Sequence, residues 1–227
     1  PEIHDIYIKR IGFSLIRVFR QHTQRCNQSD SDEKLLSQLK WPIEYMFVGL
    51  RPVQNISEGN ENQWRDWHRM TANVDATIPE LQRSEYSTFS GSDSLPNILQ
   101  RTQQNRIVPA NYWLPVPTVN TLSLTAHGIA IYDNFSDTFF NQYVPLHFGG
   151  DKINTPDDPG ALFINFALFP RQYQPSGHFN VSRAREFYIK WTTNYVTPDT
   201  PADLLVVAVA INFLLITDGS AVLRYST

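Results

Sequence analysis

Along most of this chain apolar and polar residues alternate one for one, and a period of two is the signature of a half-buried strand, not a helix. The closing stretch shows it most fully. Strands are expected over 203–216, whose apolar run from Leu204 to Ile216 is interrupted by Asn212, and over 221–225, and Thr217-Asp218-Gly219-Ser220 joins them. An Asp-Gly pair between apolar runs predicts a hairpin, because glycine tolerates positive φ. The longer run falls short of the ~20 residues that a membrane helix needs, so it is expected as buried strand. Strands are also predicted over 6–20, 43–50, 119–132, 161–169 and 186–192. A short helix is predicted over 33–41, capped by Asp30 or Ser31 and ended by Pro42, and another over 137–143. The polar stretch 21–32 is expected as an exposed loop.

Periodicity is weakest over 55–116, where Gly, Ser, Asn, Gln and Pro mix with isolated aromatics such as Trp64, Trp67, Tyr86 and Phe89. This is expected as a loop-rich insertion between strands, folded against something that uses those rings. No α/β alternation, heptad or fixed repeat occurs. The predicted class is therefore all-β, an antiparallel sandwich with short helices, and 227 residues suit one such domain.

Charged residues make up 18% of the chain, below the ~25% of an average soluble domain, which suits a surface in lasting contact with neighbours. The net charge of -3 offers no basic field for nucleic acid. Cys26 is the single cysteine, so no intrachain disulfide can form, and a reducing compartment is favoured. The chain opens at Pro1 with no signal-peptide pattern, and its biological start is expected to lie upstream.

Residues that suggest chemistry resolve mostly into structure. The six histidines lack the spacing that brings two imidazoles to one metal, and His127 is expected as a satisfied structural histidine inside a strand. The pair Asp157 and Asp158 lies in Thr155-Pro156-Asp157-Asp158-Pro159-Gly160, where proline sets φ, aspartate bonds its own backbone and glycine permits the reversal. Turn chemistry is preferred there to acid–base work. Gly149-Gly150-Asp151-Lys152 lacks the rest of a phosphate-binding loop and is expected as a tight turn. Trp64 to Arg69, WRDWHR, interleaves aromatics with basic groups but lacks a basic surround, so it is expected to anchor the insertion. Sequons at Asn27, Asn55, Asn134 and Asn180 matter only for a secreted chain.

Four segments carry a resemblance. They are TPDDPGALFINFALFPR (155–171), QPSGHFNVSRAREFYIKW (174–191), DEKLLSQLKWPIEYMFVGLRP (32–52) and INFLLITDGSAVLRYST (211–227). Together they resemble the major capsid proteins of African swine fever virus and related large DNA viruses, over the whole chain apart from 21–30 and 58–107. The resemblance implies the second jelly roll of a double-barrel capsid subunit, three of which form a pseudo-hexagonal trimer that tiles an icosahedral shell. It also implies that Pro175, Ser176, Gly177, Asn180, Ser182 and Arg183 form the structural motif shared by such proteins. Pro175 and Gly177 would set a tight turn, and Asn180, Ser182 and Arg183 would satisfy backbone groups where a strand leaves a loop. The turn motif Pro156, Asp157, Asp158, Pro159 and Gly160 belongs to the same reading.

The expected partners are copies of the chain itself, as homotrimers and then neighbouring trimers, together with minor capsid proteins. Nucleic acid is not expected as a direct partner, and the inner membrane of the virion only indirectly. No cofactor, metal or catalytic residue is expected, and the location is the virion capsid, assembled in the host cytoplasm. Two other readings stay open: a transient double-barrel scaffold of virion assembly, and a jelly-roll binding module or cupin-like metalloenzyme, for which the clustered histidines are missing.

A jelly roll needs eight strands, and alternation alone marks six or seven, so the domain spanning 1–227 is expected to be incomplete at its N-terminal side. Expressed alone, the segment should then expose unpaired strand edges and aggregate. Size-exclusion chromatography that returned a soluble, monodisperse monomer would contradict this.

Overall fold

The computed structural model describes residues 2–10, 12–27, 30–77, 111–181, 186–217 and 220–225. The chain divides into two compact units, one of residues 1–72 and 116–227, the other of residues 73–115. The strands, in order, are β1 (Phe13–Cys26), β2 (Asp30–Leu35), β3 (Pro42–Pro52), β4 (Thr71–Thr77), β5 (Asn111–Pro117), β6 (Thr121–Ala126), β7 (Ile129–Ser136), β8 (Leu162–Asn165), β9 (Phe179–Asn180), β10 (Phe187–Thr193), β11 (Ala202–Thr217) and β12 (Ser220–Leu223).

In the larger unit one sheet runs β1-β11-β3-β8, with β12 added to β11 and β9 to β3, and a second runs β2-β10-β6-β7. The chain crosses repeatedly between the two, and among the described residues the pairings within them are antiparallel. Eight strands wired this way are a jelly roll. The two paths therefore hold all eight, against the six or seven that alternation marks, because β2 is concealed in the sequence as a helix-like stretch.

Inward residues of both sheets meet in one core. Phe187, Ile189 and Trp191 come from β10, Leu122 and Leu124 from β6, Met46, Val48 and Leu50 from β3, Leu162 and Ile164 from β8, and Leu204 and Val206 from β11. The strict alternation of β6 and β10 is the pleat of strands with one apolar face. By contrast β3 is buried on nearly every residue.

Several expectations are corrected. The predicted strand over 6–20 is a helix over Glu2–Arg10 followed by β1. Five alternating residues fit either period, and Glu2 and Asp5 in the first turn favour the helix through its dipole. Within the predicted loop over 21–32, residues 21–26 are instead the second half of β1 and residues 30–32 the start of β2, and residues 28–29 lie outside the described residues. Unbroken register with β11, from Phe13 opposite Leu215 to Cys26 opposite Ala202, holds these polar residues extended, and Gln21, Thr23 and Arg25 lie exposed while His22 and Cys26 are buried.

The predicted helix over 33–41 is replaced by β2, which pairs with β10, and a turn in which the Leu36 N–H donates to the Phe187 carbonyl. Even with good helix formers, nine residues are too few for a helix stable by itself, and pairing with the edge of β10 overrides the local preference. The predicted strand over 161–169 stops at Asn165, whose side-chain amide donates to the carbonyls of Phe148 and Ala167 while its Oδ1 accepts the Ala167 N–H. The stretch 119–132 is a hairpin. His127 (φ 53°) and Gly128 (φ 73°) form its two-residue corner, so His127 is an exposed turn residue and not a strand histidine.

Other expectations hold. Strands occupy 43–50 and 186–192 as predicted, the helix expected at 137–143 continues to Phe148, and β11 pairs with β12 with Thr217 opposite Ser220. The Asp218-Gly219 corner itself lies outside the described residues. Gly149 and Gly150 form the expected tight turn: a Cβ on Gly149 would lie 2.3 Å from the Pro145 carbonyl oxygen, and Gly150 has φ 63°.

If inter-sheet burial holds the barrel, Leu124→Ala in the full-length protein should cost about 2–5 kcal/mol. Thr125→Ala, one residue along on the outward face, should cost no more than about 1 kcal/mol. Urea unfolding of both variants checks the contrast.

Candidate assembly surface

The predicted motif residues lie on the loop between β8 and β10. The Ser176 hydroxyl accepts the Phe169 N–H at 2.6 Å and donates to the Phe169 carbonyl at 2.9 Å. That pins the chain to itself across seven residues. Gly177 has φ 150°, and a Cβ there would stand 3.1 Å from the Phe166 carbonyl oxygen, so the loop's return demands glycine. Asn180 sits in β9 opposite Pro42, and the Val181 N–H donates to the Trp41 carbonyl. Ser182 and Arg183 lie outside the described residues.

The other end of the loop is held by a residue that the sequence reading missed. Glu44 has no solvent exposure, yet its carboxylate takes a two-pronged grip from Arg17 of β1, Nε to Oε2 at 2.6 Å and Nη2 to Oε1 at 3.0 Å. Oε1 also accepts the Arg171 backbone N–H at 3.0 Å, and Arg17 Nη2 donates onward to the Gln172 carbonyl. This geometry is available because the register of β3 on β11 slips at this point. Val209 faces Tyr45 and Ala210 faces Ile43, leaving Glu44 as the extra, bulged residue. A bulge re-aims one side chain without ending the strand. The hydrogen bond to Glu44 is the largest influence holding the Arg17 guanidinium above its ordinary value, and burial is the main cause pushing the neighbouring Tyr45 hydroxyl up. The signal in the sequence was a lone carboxylate inside the apolar run PIEYMFVGL.

The turn at 156–160 is fastened through Asp158. Asp158 accepts the N–H of Gly160 at 2.9 Å, in its own turn, and that of Met70 at 2.7 Å. Gly160 is required for a different reason from a positive φ: a Cβ there would fall 1.9 Å from the Met70 carbonyl oxygen. Asp157 is exposed, and nothing pairs the two carboxylates for acid–base chemistry. The expected aromatic anchor at 64–69 is corrected. Trp64 and Trp67 are 76% and 56% exposed, while Asp66 is buried. Asp66 is held below the usual carboxylate range, first by its hydrogen bond from Arg65. Asn55 adds the second fastening, its amide donating to the carbonyls of Arg69 and Thr71.

Among the described residues no three His, Cys, Asp or Glu side chains gather as a metal site, and no helix is long and apolar enough to cross a membrane. An open groove of about 590 Å³ on the outer face of the second sheet is lined by Thr121, Ser123, Thr125 and Lys190 among others. Its hydroxyls largely bond one another, as in Thr121 with Thr192 and with Asn134.

The loop instead presents apolar surface: Leu168, Phe169 and Tyr173 are 64%, 54% and 99% exposed. A jelly roll of this wiring is an architecture that viral capsid proteins share with lectins and cupins. The structure resembles the Faustovirus major capsid protein, with a TM-score of 0.76 and 40% identity over 96% of this chain and 36% of that one. It shares its fold with the PBCV-1 virus capsid, at TM-score 0.60 and 16% identity over 95% of this chain and 52% of that chain. The family model described as large eukaryotic DNA virus major capsid protein matches residues 2–222, and the chain belongs to that family. It is 52% identical to the hexon protein p72 of African swine fever virus (strain Badajoz 1971 Vero-adapted) over 100% of this chain, and it spans 35% of that relative's length.

Replacing Glu44 by glutamine in the full-length protein keeps the shape but leaves Arg17 without its counter-charge. Stability should fall by about 2–4 kcal/mol, and the amides of residues 166–173 should exchange faster, as hydrogen–deuterium exchange can measure.

Proposed function

We propose that this chain is a shell-building module that works by packing against copies of its own subunit, with no catalytic role and no cofactor. In this reading residues 1–227 are one jelly-roll domain, continuing on its N-terminal side into a first barrel and carrying the insertion 55–116. Three double-barrel subunits form a pseudo-hexagonal homotrimer, and trimers tile an icosahedral capsid with minor capsid proteins between them. Assembly takes place in the host cytoplasm, with no direct contact to the genome and only an indirect one to an inner membrane. The motif Pro175, Ser176, Gly177, Asn180, Ser182 and Arg183 acts structurally, fixing the loop where the chain leaves and re-enters the barrel, and the turn at 156–160 fastens the base of the insertion.

The observation that carries this reading is the 52% identity to a capsid protein over the entire chain, in a barrel whose eight-strand order is that of a jelly roll. Low charge supports it: 18% charged residues leave a surface suited to lasting contact. The experiment is native mass spectrometry and electron microscopy of the full-length protein. Threefold particles are expected, and a monomer holding a stoichiometric small molecule or metal would overturn the assignment.

A further inference from the structure

We propose that the open groove on the outer face of the β2-β10-β6-β7 sheet binds a neutral oligosaccharide. This is a further function beside the shell-building one and does not depend on it.

The groove holds about 590 Å³, within the range of small-ligand sites, and the sheet lays its polar groups in a row. Glu33 of β2 stands opposite Lys190 of β10, and Lys190 stands opposite Ser123 of β6. At the fourth strand the register slips. Leu122 faces Phe135 and Leu124 faces Tyr132, so Ser123 alone stands against both Asp133 and Asn134 of β7. This is a bulge, a device that re-aims side chains and recurs beside functional sites. Asn134 is kept at φ 58°, a conformation uncommon for a residue other than glycine. The floor of the groove is what keeps it there. Its N–H donates to the Ser123 hydroxyl at 2.7 Å, its Oδ1 accepts from the Thr121 hydroxyl at 2.7 Å, and the Thr121 and Thr192 hydroxyls lie 2.6 Å apart.

A hydroxyl carries one proton. Thr121 gives its proton to Asn134, so Thr192 donates to Thr121 and both are engaged. Ser123 accepts from Asn134 and keeps a proton to give. Glu33, Lys190 and Asp133 are exposed and line the groove, and no hydrogen bond or ion pair engages them among the described residues. Across the four strands the groups left over therefore run carboxylate, ammonium, hydroxyl, carboxylate, with the Thr125 hydroxyl two residues along β6 on the same face. A ligand that satisfies this row must both donate and accept at short intervals. Adjacent hydroxyls on sugar rings do so, each being donor and acceptor at once.

Other occupants fit worse. Two carboxylates against one ammonium repel the phosphates of nucleic acid and the anionic groups of acidic sugars alike. Glu33 and Asp133 stand three strand spacings apart, roughly 14 Å, too far to share one cation. A protein partner takes its anchor from aromatic or apolar contacts, and Trp191, the aromatic residue of the lining, is 2% exposed. An extended, uncharged polyol lying across the strands meets each condition.

The test puts the full-length protein on an array of immobilised neutral oligosaccharides, with sialylated and sulfated ones beside them. Binding to neutral members is expected. Lys190→Ala and Asp133→Ala should each weaken it about tenfold or more, the effect of losing one hydrogen bond to a charged group, while thermal unfolding and particle mass stay as in the unsubstituted protein. Thr125→Cys should react with a thiol reagent and be protected by the bound sugar, with the buried Cys26 giving the background. No binding, binding confined to sialylated or sulfated members, or binding that both alanine substitutions leave unchanged would overturn the groove. So would a Thr125→Cys variant that never reacts, since the face would then be covered in the assembly. Each of these results leaves the shell reading standing, and failure of the unsubstituted protein to form threefold particles bears on that reading alone.

Discussion

Strand β11 is the member on which the rest of the barrel hangs. It has β1 on one side along fourteen consecutive pairs and β3 on the other, so its backbone groups are satisfied laterally along most of its length and its two faces are left to side chains. One face, Leu204, Val206 and Ala208, is fully buried in the core, and Leu205 and Val207 on the other are half-buried. A strand in this position cannot carry scattered charge. Its buried carboxylate, Asp203, lies near the strand's start, where Arg25 and Arg51 of the two flanking strands converge on it. Asn212, the interruption in the apolar run, is likewise spent on backbone: its side-chain Oδ1 accepts the N–H of Phe213 and of Tyr225, and its Nδ2 donates to the Tyr225 carbonyl. Asp203 thus fastens the start of the strand and Asn212 a point beyond its middle, and the stretch between them stays free for packing.

The bulge at Glu44 follows from the same constraint. On β3, Met46, Val48 and Leu50 face the core and so does Ile43, although 43 and 46 have opposite parity. The inserted residue reconciles them. It could have been any small residue if parity were the only need. A carboxylate there costs several kcal/mol of desolvation, and it is retained with three N–H partners from two distant segments, Arg17 and Arg171. Such a group is a poor source of net stability but a specific one, since only one loop conformation brings the Arg171 N–H to it. The barrel core fixes where the sheet lies, and Glu44 fixes what the adjoining loop does.

This division explains what could be read from sequence. Strands with one wet face, such as β6 and β10, announce themselves by alternation, and the β11–β12 hairpin by its turn residues, because these signals are local. The turn at 156–160 was readable for the same reason, since Asp158 bonds its own neighbour Gly160. Its second bond, to the Met70 N–H, was not, being 88 residues distant in sequence. β2 was hidden because its stability comes from β10 and not from its own composition, and β1 was cut short because polar residues on an outer face look like loop. Of the candidate site, Pro175 and Gly177 were expected to set a turn within a resembling motif, while the two bonds of Ser176 to Phe169 were not foreseen. Glu44 is marked locally only by its place inside an apolar run, which reveals neither the bulge nor its partners Arg17 and Arg171, both distant in sequence.

Edges sharpen the point about how such a barrel meets its neighbours. Within the two four-stranded paths, β1 and β8 end one sheet and β2 and β7 end the other. A protein made to associate must keep those edges from pairing indiscriminately, since an open ladder accepts any strand. β2 carries Asp, Asp, Glu and Lys in six residues. β7 is broken by register shifts against β6 and by Asn134 at φ 58°, which twists it away from a flat template. β1 carries Arg17, Arg20 and Arg25, the second stacked 3.4 Å above the Trp41 ring. Non-specific ladder growth is thus opposed by charge and irregularity at three of the four edges, while large apolar side chains are gathered on a loop with a fixed shape. Association through side chains on a rigid loop can be made selective in a way that main-chain pairing cannot, because shape and rim charge must both match.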